Sequence, residues 1–155
     1  MNVGPESGRM ELLVNRGLRR DRQPSVTDPT ATLGGQPPEW TPVVLRRLQA
    51  IAQLAAGWDG RSAPGVFPAN IEVAMQLLQG VMRSGTPVPE LVPTLRGGLQ
   101  IEWHVKDVDV ELEIVSPSRY ILTVEDRATD QDFEQQLSAD LSPFVAAVER
   151  VKSDQ

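Results

Sequence analysis

The fold is decided by residues 99–114, which read LQIEWHVKDVDVELEI. Apolar and polar side chains alternate strictly on both sides of the dipeptide Lys106-Asp107, and this period of two is typical of β-strands with one buried face. A two-residue connection favours a tight hairpin between antiparallel strands. The predicted inner face consists of Leu99, Ile101, Trp103, Val105, Val108, Val110, Leu112 and Ile114.

The turn also fixes which side chains face one another on the outer side of this hairpin. Counting back from the turn places His104 opposite Asp109. The next outer pair is Glu102 and Glu111. Like charges directly opposite each other destabilise a sheet, by roughly 0.2–1 kcal/mol on the scale of cross-strand pairs. Such a local conflict indicates a functional surface.

Two helices are predicted before this hairpin. Thr41 is a suitable N-cap and Pro42 a suitable first residue for a helix that continues to Gly57. Apolar residues recur at steps of three and four again over residues 68–85, which predicts a second helix. The residue before it, Phe67, is a poor N-cap.

Further strands and a final helical region complete the predicted domain. Strands are predicted near Leu91–Leu95, at a sheet edge because of Pro93, and over Tyr120–Glu125. A helical region is predicted from Thr129 and is broken near Pro143, so that Asp130, Asp132 and Glu134 lie near a helix N-terminus. The predicted class is α+β, with two N-terminal helices, a four-stranded antiparallel meander and a broken C-terminal helix.

Composition sets limits on chemistry and location. The chain has 155 residues, a net charge of −6, no cysteine and one histidine, which excludes disulfides, thiolate metal sites and two-histidine metal motifs within one chain. Residues 1–39 are rich in proline and balanced in charge, which predicts a flexible, disordered arm before a single domain over residues 40–152. The acidic domain disfavours direct nucleic-acid binding. Without a signal peptide or a long apolar run, we expect a cytoplasmic protein without membrane contact.

The segment Gly57-Trp58-Asp59-Gly60 between the two predicted helices is a candidate binding turn. An aromatic ring and a carboxylate between two glycines are suited to a stacking pocket with one polar group. The structural alternative is that Trp58 fills the core and Asp59 accepts local backbone N–H bonds.

Three functional interpretations compete for the outer face of the hairpin. Glu102, Asp109, Glu111 and His104 have the donor types of a divalent metal site. The His104 and Asp109 pair also resembles a general base with its orienting carboxylate. The third interpretation is an acidic surface that binds a basic protein. A merely solvated face is the structural alternative.

The motifs together resemble a family of small uncharacterised bacterial proteins. Gly57-Trp58-Asp59-Gly60, followed by Ala63-Pro64 and a helix that begins with proline, and residues 97–104, GGLQIEWH, carry the resemblance, which covers roughly residues 45–150. The shared elements are the Gly-Trp-Asp-Gly turn and a Leu/Ile-Glu-Trp strand motif, although Ile101 and Phe67 depart from the commoner Leu and Ser. The resemblance implies an accessory or regulatory role, such as an antitoxin-like subunit.

We therefore predict a non-enzymatic cytoplasmic protein that needs no cofactor and binds a basic protein partner. The predicted binding residues are Trp58, Asp59, Glu102, His104, Asp109 and Glu111. The alternative is a small metal-dependent hydrolase or nuclease that uses the His104, Asp109, Glu102 and Glu111 cluster. A third hypothesis is a homo-oligomer built through an exposed sheet edge.

Overall fold

A five-stranded antiparallel sheet with three helices forms the structure, a computed structural model that describes residues 37–152. The helices are α1 (Trp40–Ala52), α2 (Pro68–Val81) and α3 (Ser142–Arg150). The strands are β1 (Glu90–Pro93), β2 (Leu99–Val105), β3 (Val108–Ser116), β4 (Arg119–Asp126) and β5 (Gln131–Leu137). Their order in the sheet is β1-β2-β3-β4-β5, so each strand pairs with its neighbours in sequence. The predicted α+β class is confirmed.

The inner face of the sheet and the apolar sides of the helices share one core. On the inner face of β2 and β3, the apolar side chains away from the hairpin turn are at most 2% exposed, whereas Val105 and Val108 beside the turn are only partly buried. Trp103 packs against Phe144 of α3 with ring centroids 6.1 Å apart. The indole N–H of Trp103 donates to the Pro87 carbonyl oxygen at 2.8 Å, so this buried ring retains no unpaired donor. The helices therefore cover one side of the sheet and leave its other side available.

The start of α2 is docked on the turn between β1 and β2. Phe67 provides no side-chain cap, as its residue type predicts, but its backbone N–H donates to the Gly97 carbonyl oxygen at 3.0 Å. The buried Asn70 side chain donates to the same oxygen at 3.1 Å. Gly97 has a φ of +81°, a conformation that favours glycine, and a Cβ there would lie 2.6 Å from the Phe67 ring, which would have to shift.

The predicted arrangement of two N-terminal helices and a four-stranded meander does not match the structure, which has three helices and five strands among the described residues. The helix predicted from Thr129 is wrong, because β5 occupies that region and pairs with β4 over its whole length. Pro143 does not break a helix; it lies in the first turn of α3, where its missing N–H is harmless.

Two predicted boundaries of α1 also differ. Glu39 rather than Thr41 stands at the N-cap position and makes no side-chain cap bond, whereas the Thr41 N–H donates to the Pro38 carbonyl oxygen. The helix ends at Ala52, five residues before the glycine that was expected to end it. The predicted arm of residues 1–39 lies outside the described residues, apart from residues 37–39.

A buried ion pair ties the end of β4 to α3. Asp126 is 4% exposed, accepts the backbone N–H groups of Ala128 and Thr129, and contacts the guanidinium of Arg150. Burial raises the pKa of Asp126, but the hydrogen bonds from Thr129 and the charge of Arg150 outweigh it and lower the pKa below its ordinary value. This contact fixes α3 beside the turn between β4 and β5.

Candidate functional site: the acidic outer face of the sheet

The candidate site is the side of the sheet that the helices leave uncovered. The predicted register of the β2–β3 hairpin is confirmed, with His104 opposite Asp109 and Glu102 opposite Glu111. Pairing with β1, β4 and β5 extends these rows across the whole sheet. We call the resulting surface the acidic face; its carboxylates are Glu90, Glu102, Asp109, Glu111, Glu113, Glu125, Asp132 and Glu134.

One cross-strand row places three glutamates side by side. Glu90 of β1 is opposite Glu102, which is opposite Glu111. On the other side of Glu111 the row continues through Thr123 to Glu134 of β5. Directly opposed like charges destabilise a sheet, so this row works against the folded state.

A second row contains the only histidine of the chain. His104 is opposite Asp109, which is opposite Glu125, and Asp132 follows on β5. Arg127 from the turn after β4 contacts Asp109 at 2.5 Å. Asp109 is therefore neutralised locally, whereas no such ion pair involves Glu90, Glu111 or Glu113 among the salt bridges of residues 37–152.

His104 lies between two carboxylates. Its Nδ1 is 3.0 Å from Asp109 Oδ1, and its Nε2 is 3.3 Å from Glu102 Oε2. A neutral imidazole donates through one nitrogen only, so these two contacts are satisfied together by the imidazolium. The hydrogen bond to Asp109 raises the pKa of His104 against the opposing effect of partial burial, and the bond to Glu102 raises it further.

Glu111 occupies the centre of the acidic face. Partial burial raises the pKa of its carboxyl, and the charge of Glu102 raises it further, while His104 lowers it. Both main causes disfavour the ionised form in the folded state. The like-charge conflict with Glu102 therefore adds to the effect of burial at Glu111.

The cluster around His104 is the predicted metal-binding alternative. Among residues 37–152, no group of three or more His, Cys, Asp or Glu side chains is arranged to hold an ion. Both ring nitrogens of His104 contact carboxylates, so neither nitrogen is directed at a free coordination position. The metal-dependent hydrolase or nuclease stays an alternative prediction.

The turn around Trp58 and Asp59 uses its polar groups locally. Asp59 Oδ1 accepts the backbone N–H groups of Arg61 and Ala63 at 3.0 and 3.1 Å, and Trp58 Nε1 donates to the Pro64 carbonyl oxygen at 2.9 Å. These are the contacts of the structural alternative, in which the carboxylate builds an Asx-type turn. The binding role of Trp58 and Asp59 stays a prediction.

Sequence reasoning missed half of the acidic face. Asp132 and Glu134 belong to β5 and face outward, and no helix N-terminus explains their charge. Glu90 lies at the start of β1 and joins the same face. Glu125 could have been assigned to the acidic face from the sequence, because it follows the alternation of β4. Its partner on the far side of the row, Asp132, belongs to β5.

No protein-family model, curated protein or solved structure matches this chain. None of the helices in the described part of the chain has the length and hydrophobicity that a membrane-spanning helix needs. The acidic face is thus interpreted from its own geometry.

Proposed function

We propose that this protein is a non-enzymatic accessory or regulatory protein, antitoxin-like in kind and acting in the cytoplasm, that binds a basic protein surface through the acidic face. The observation that carries the proposal is the row in which Glu90, Glu102 and Glu111 lie side by side. A solvated face gains nothing from this arrangement, because each opposed like-charge pair lowers stability. When a basic partner binds, its positive charges attract the same carboxylates that repel one another in the free protein.

The distribution of positive charge supports this proposal. Within the five strands the only basic side chains are Arg119, at the start of β4, and His104. The acidic face therefore presents charges of one sign, all from carboxylates, over several neighbouring strands. The negative electrostatic field of these charges increases the rate at which oppositely charged partners associate, and added salt weakens the field.

The test begins with capture of the native partner from the host, followed by measured affinities of purified variants. We expect the charge reversal Glu111→Lys to weaken binding by about tenfold or more, which is the effect typical of a charge at an interface centre. The matched control is Glu72→Lys, which makes the same change of charge on the exposed surface of α2. Added salt should weaken wild-type binding.

Two results would oppose the proposal. Equal weakening by Glu72→Lys and Glu111→Lys would show that only net charge matters. Loss of binding in Asp59→Asn, together with full binding by Glu111→Lys, would move the site to the turn between α1 and α2. That turn keeps its geometry in Asp59→Asn, because an amide oxygen also accepts the two N–H bonds.

A further inference from the structure

The free edge of β5 is a second feature of the molecule that is suited to a partner. β5 has seven residues and lies at the end of the sheet, and among residues 37–152 only β4 pairs with it. The opposite edge strand, β1, has four residues and ends at Pro93. Natural sheets protect their edges with short strands, proline or charged side chains, lysine in particular. β1 is short and ends at proline, whereas β5, with the sequence QDFEQQL, contains neither proline nor lysine, and its only charged residues are Asp132 and Glu134.

The two sides of β5 differ in chemistry. Asp132 and Glu134 face outward and continue the rows of the acidic face. Phe133 lies on the inner side, opposite Val124, and is 40% exposed. A strand added beside β5 would therefore meet carboxylates on one side and an exposed aromatic ring on the other.

We infer that the basic partner provides an extended segment, with basic and apolar residues in alternation, that pairs with β5 as a sixth strand. This inference rests on the proposed function and specifies how the partner binds. Unpaired backbone N–H and C=O groups along an edge supply affinity, and alternate side chains supply specificity. Basic side chains would face Asp132 and Glu134, and apolar side chains would cover Phe133.

The acidic side chains also select against a second copy of this chain as the added strand. In a continuous sheet, antiparallel self-pairing places outward residues of one β5 opposite outward residues of the other. Registers centred on Phe133 or Glu134 then oppose carboxylates directly, which is destabilising. Only registers shifted toward the C-terminal end of β5 avoid this opposition, and they shorten the paired segment. A strand that alternates basic and apolar residues avoids this opposition in every register that keeps its basic side chains on the outer face.

The experiment measures binding of the full chain to the peptide Ac-TKVKVKVKT-amide. Two analogues carry backbone N-methyl groups, one on all valine nitrogens and the other on all lysine nitrogens. In an extended strand, alternate N–H groups point to opposite edges. With lysine facing Asp132 and Glu134, only one of the two sets can face β5, so one analogue should lose affinity by about tenfold or more and the other should not.

Charge variants of the chain locate the peptide. Glu134→Lys should weaken binding by about tenfold, whereas Glu90→Lys should have an effect below about threefold. Glu90 belongs to the same face but lies four strands away, roughly 19 Å at ordinary strand spacing, which exceeds the screening length of about 8 Å in physiological salt. Both side chains are exposed, and an unchanged melting temperature verifies that each variant is folded.

The outcomes distinguish this inference from the proposed function. Equal affinity of the parent, both methylated analogues and the scrambled peptide Ac-TKKVVVKKT-amide would overturn strand addition and leave binding by charge. No binding of the parent peptide would overturn strand addition, while the partner affinities of Glu111→Lys would still decide the proposed function. A dimer of the free wild-type chain in light scattering that Glu134→Lys strengthens, because position 134 then no longer opposes Asp132 with a like charge, would identify a second copy as the occupant and overturn the inference.

Discussion

The substitution Glu111→Gln should stabilise the protein at neutral pH and low salt. It removes the like-charge pair with Glu102, while the neighbour on the other side, Thr123, is neutral in both proteins. One directly opposed pair corresponds to roughly 0.2–1 kcal/mol. For a domain of this size we therefore expect the melting temperature to rise by about 1–5 °C. Glu102 is a less suitable target, because it also binds His104.

The pH dependence of this gain has a definite sign. Because the pKa of Glu111 is raised in the folded state, ionisation of Glu111 lowers stability as the pH rises from the ordinary glutamate range through the raised pKa. The gain from Glu111→Gln should therefore be absent at acid pH and complete above that window. Urea unfolding at several pH values measures it directly.

Two controls test whether charge repulsion causes the gain in stability of Glu111→Gln. Glu72→Gln removes the same charge from the exposed surface of α2 and should change stability by less than about 0.5 kcal/mol. Sodium chloride at 1 M should reduce the gain of Glu111→Gln, because the screening length falls to about 3 Å. A destabilised Glu111→Gln at pH 7, or a gain that 1 M salt leaves unchanged, would show that charge repulsion is not the cause.

Three other predictions concern His104, the turn at Asp59 and the turn at Gly97. His104 stabilises the fold fully below about pH 6.5 and loses this contribution as the pH rises through its raised pKa. His104→Gln should therefore flatten the stability profile from about pH 6.5 upward, measured by urea unfolding; an unchanged slope would contradict the two-carboxylate geometry. Asp59→Asn should change the free energy of unfolding by less than about 0.5 kcal/mol, whereas Asp59→Ala should lower it by about 1–2 kcal/mol. Equal losses of both variants in thermal melts would assign the effect to charge. Gly97→Ala should destabilise the protein by about 1–3 kcal/mol more than Gly60→Ala in the same assay, because both glycines have positive φ but only Gly97 has the Phe67 ring within reach of a Cβ. Similar losses in the two variants would leave conformational strain as the sole cause.

The register of the β2–β3 hairpin was predictable because two independent signals agree. A two-residue turn fixes the pairing, and a slip by one residue would move every apolar side chain to the outer face. The same agreement does not exist for β5. Its two apolar residues, Phe133 and Leu137, are four apart and match helical spacing, while the inward Gln131 and Gln135 hide the period of two. Pairing with β4 overrides the local preference of this segment, and sequence patterns do not report pairing.

The candidate site was predictable to the same extent as the sheet. Glu102, His104, Asp109 and Glu111 depend on one local hairpin, so their relation followed from counting along the chain. The extension of the acidic face to Asp132 and Glu134 depends on a strand that the pattern did not indicate. The contacts of His104 with two carboxylates at once require side-chain geometry, which no pattern of residue types contains.

The ion pair between Asp126 and Arg150 affects how β5 opens locally in the folded protein. It joins the last residue of β4 to the last residue of α3, so β5 lies inside a closed segment that runs from Asp126 to Arg150. Local opening of β5 then exposes one ladder of backbone amides without releasing α3, whose Phe144 is fully buried. We expect native-state hydrogen exchange to show β5 as a separate, early-opening unit and the amides of β2 and β3 as the slowest. A partner strand at this edge would slow exchange in β5 first.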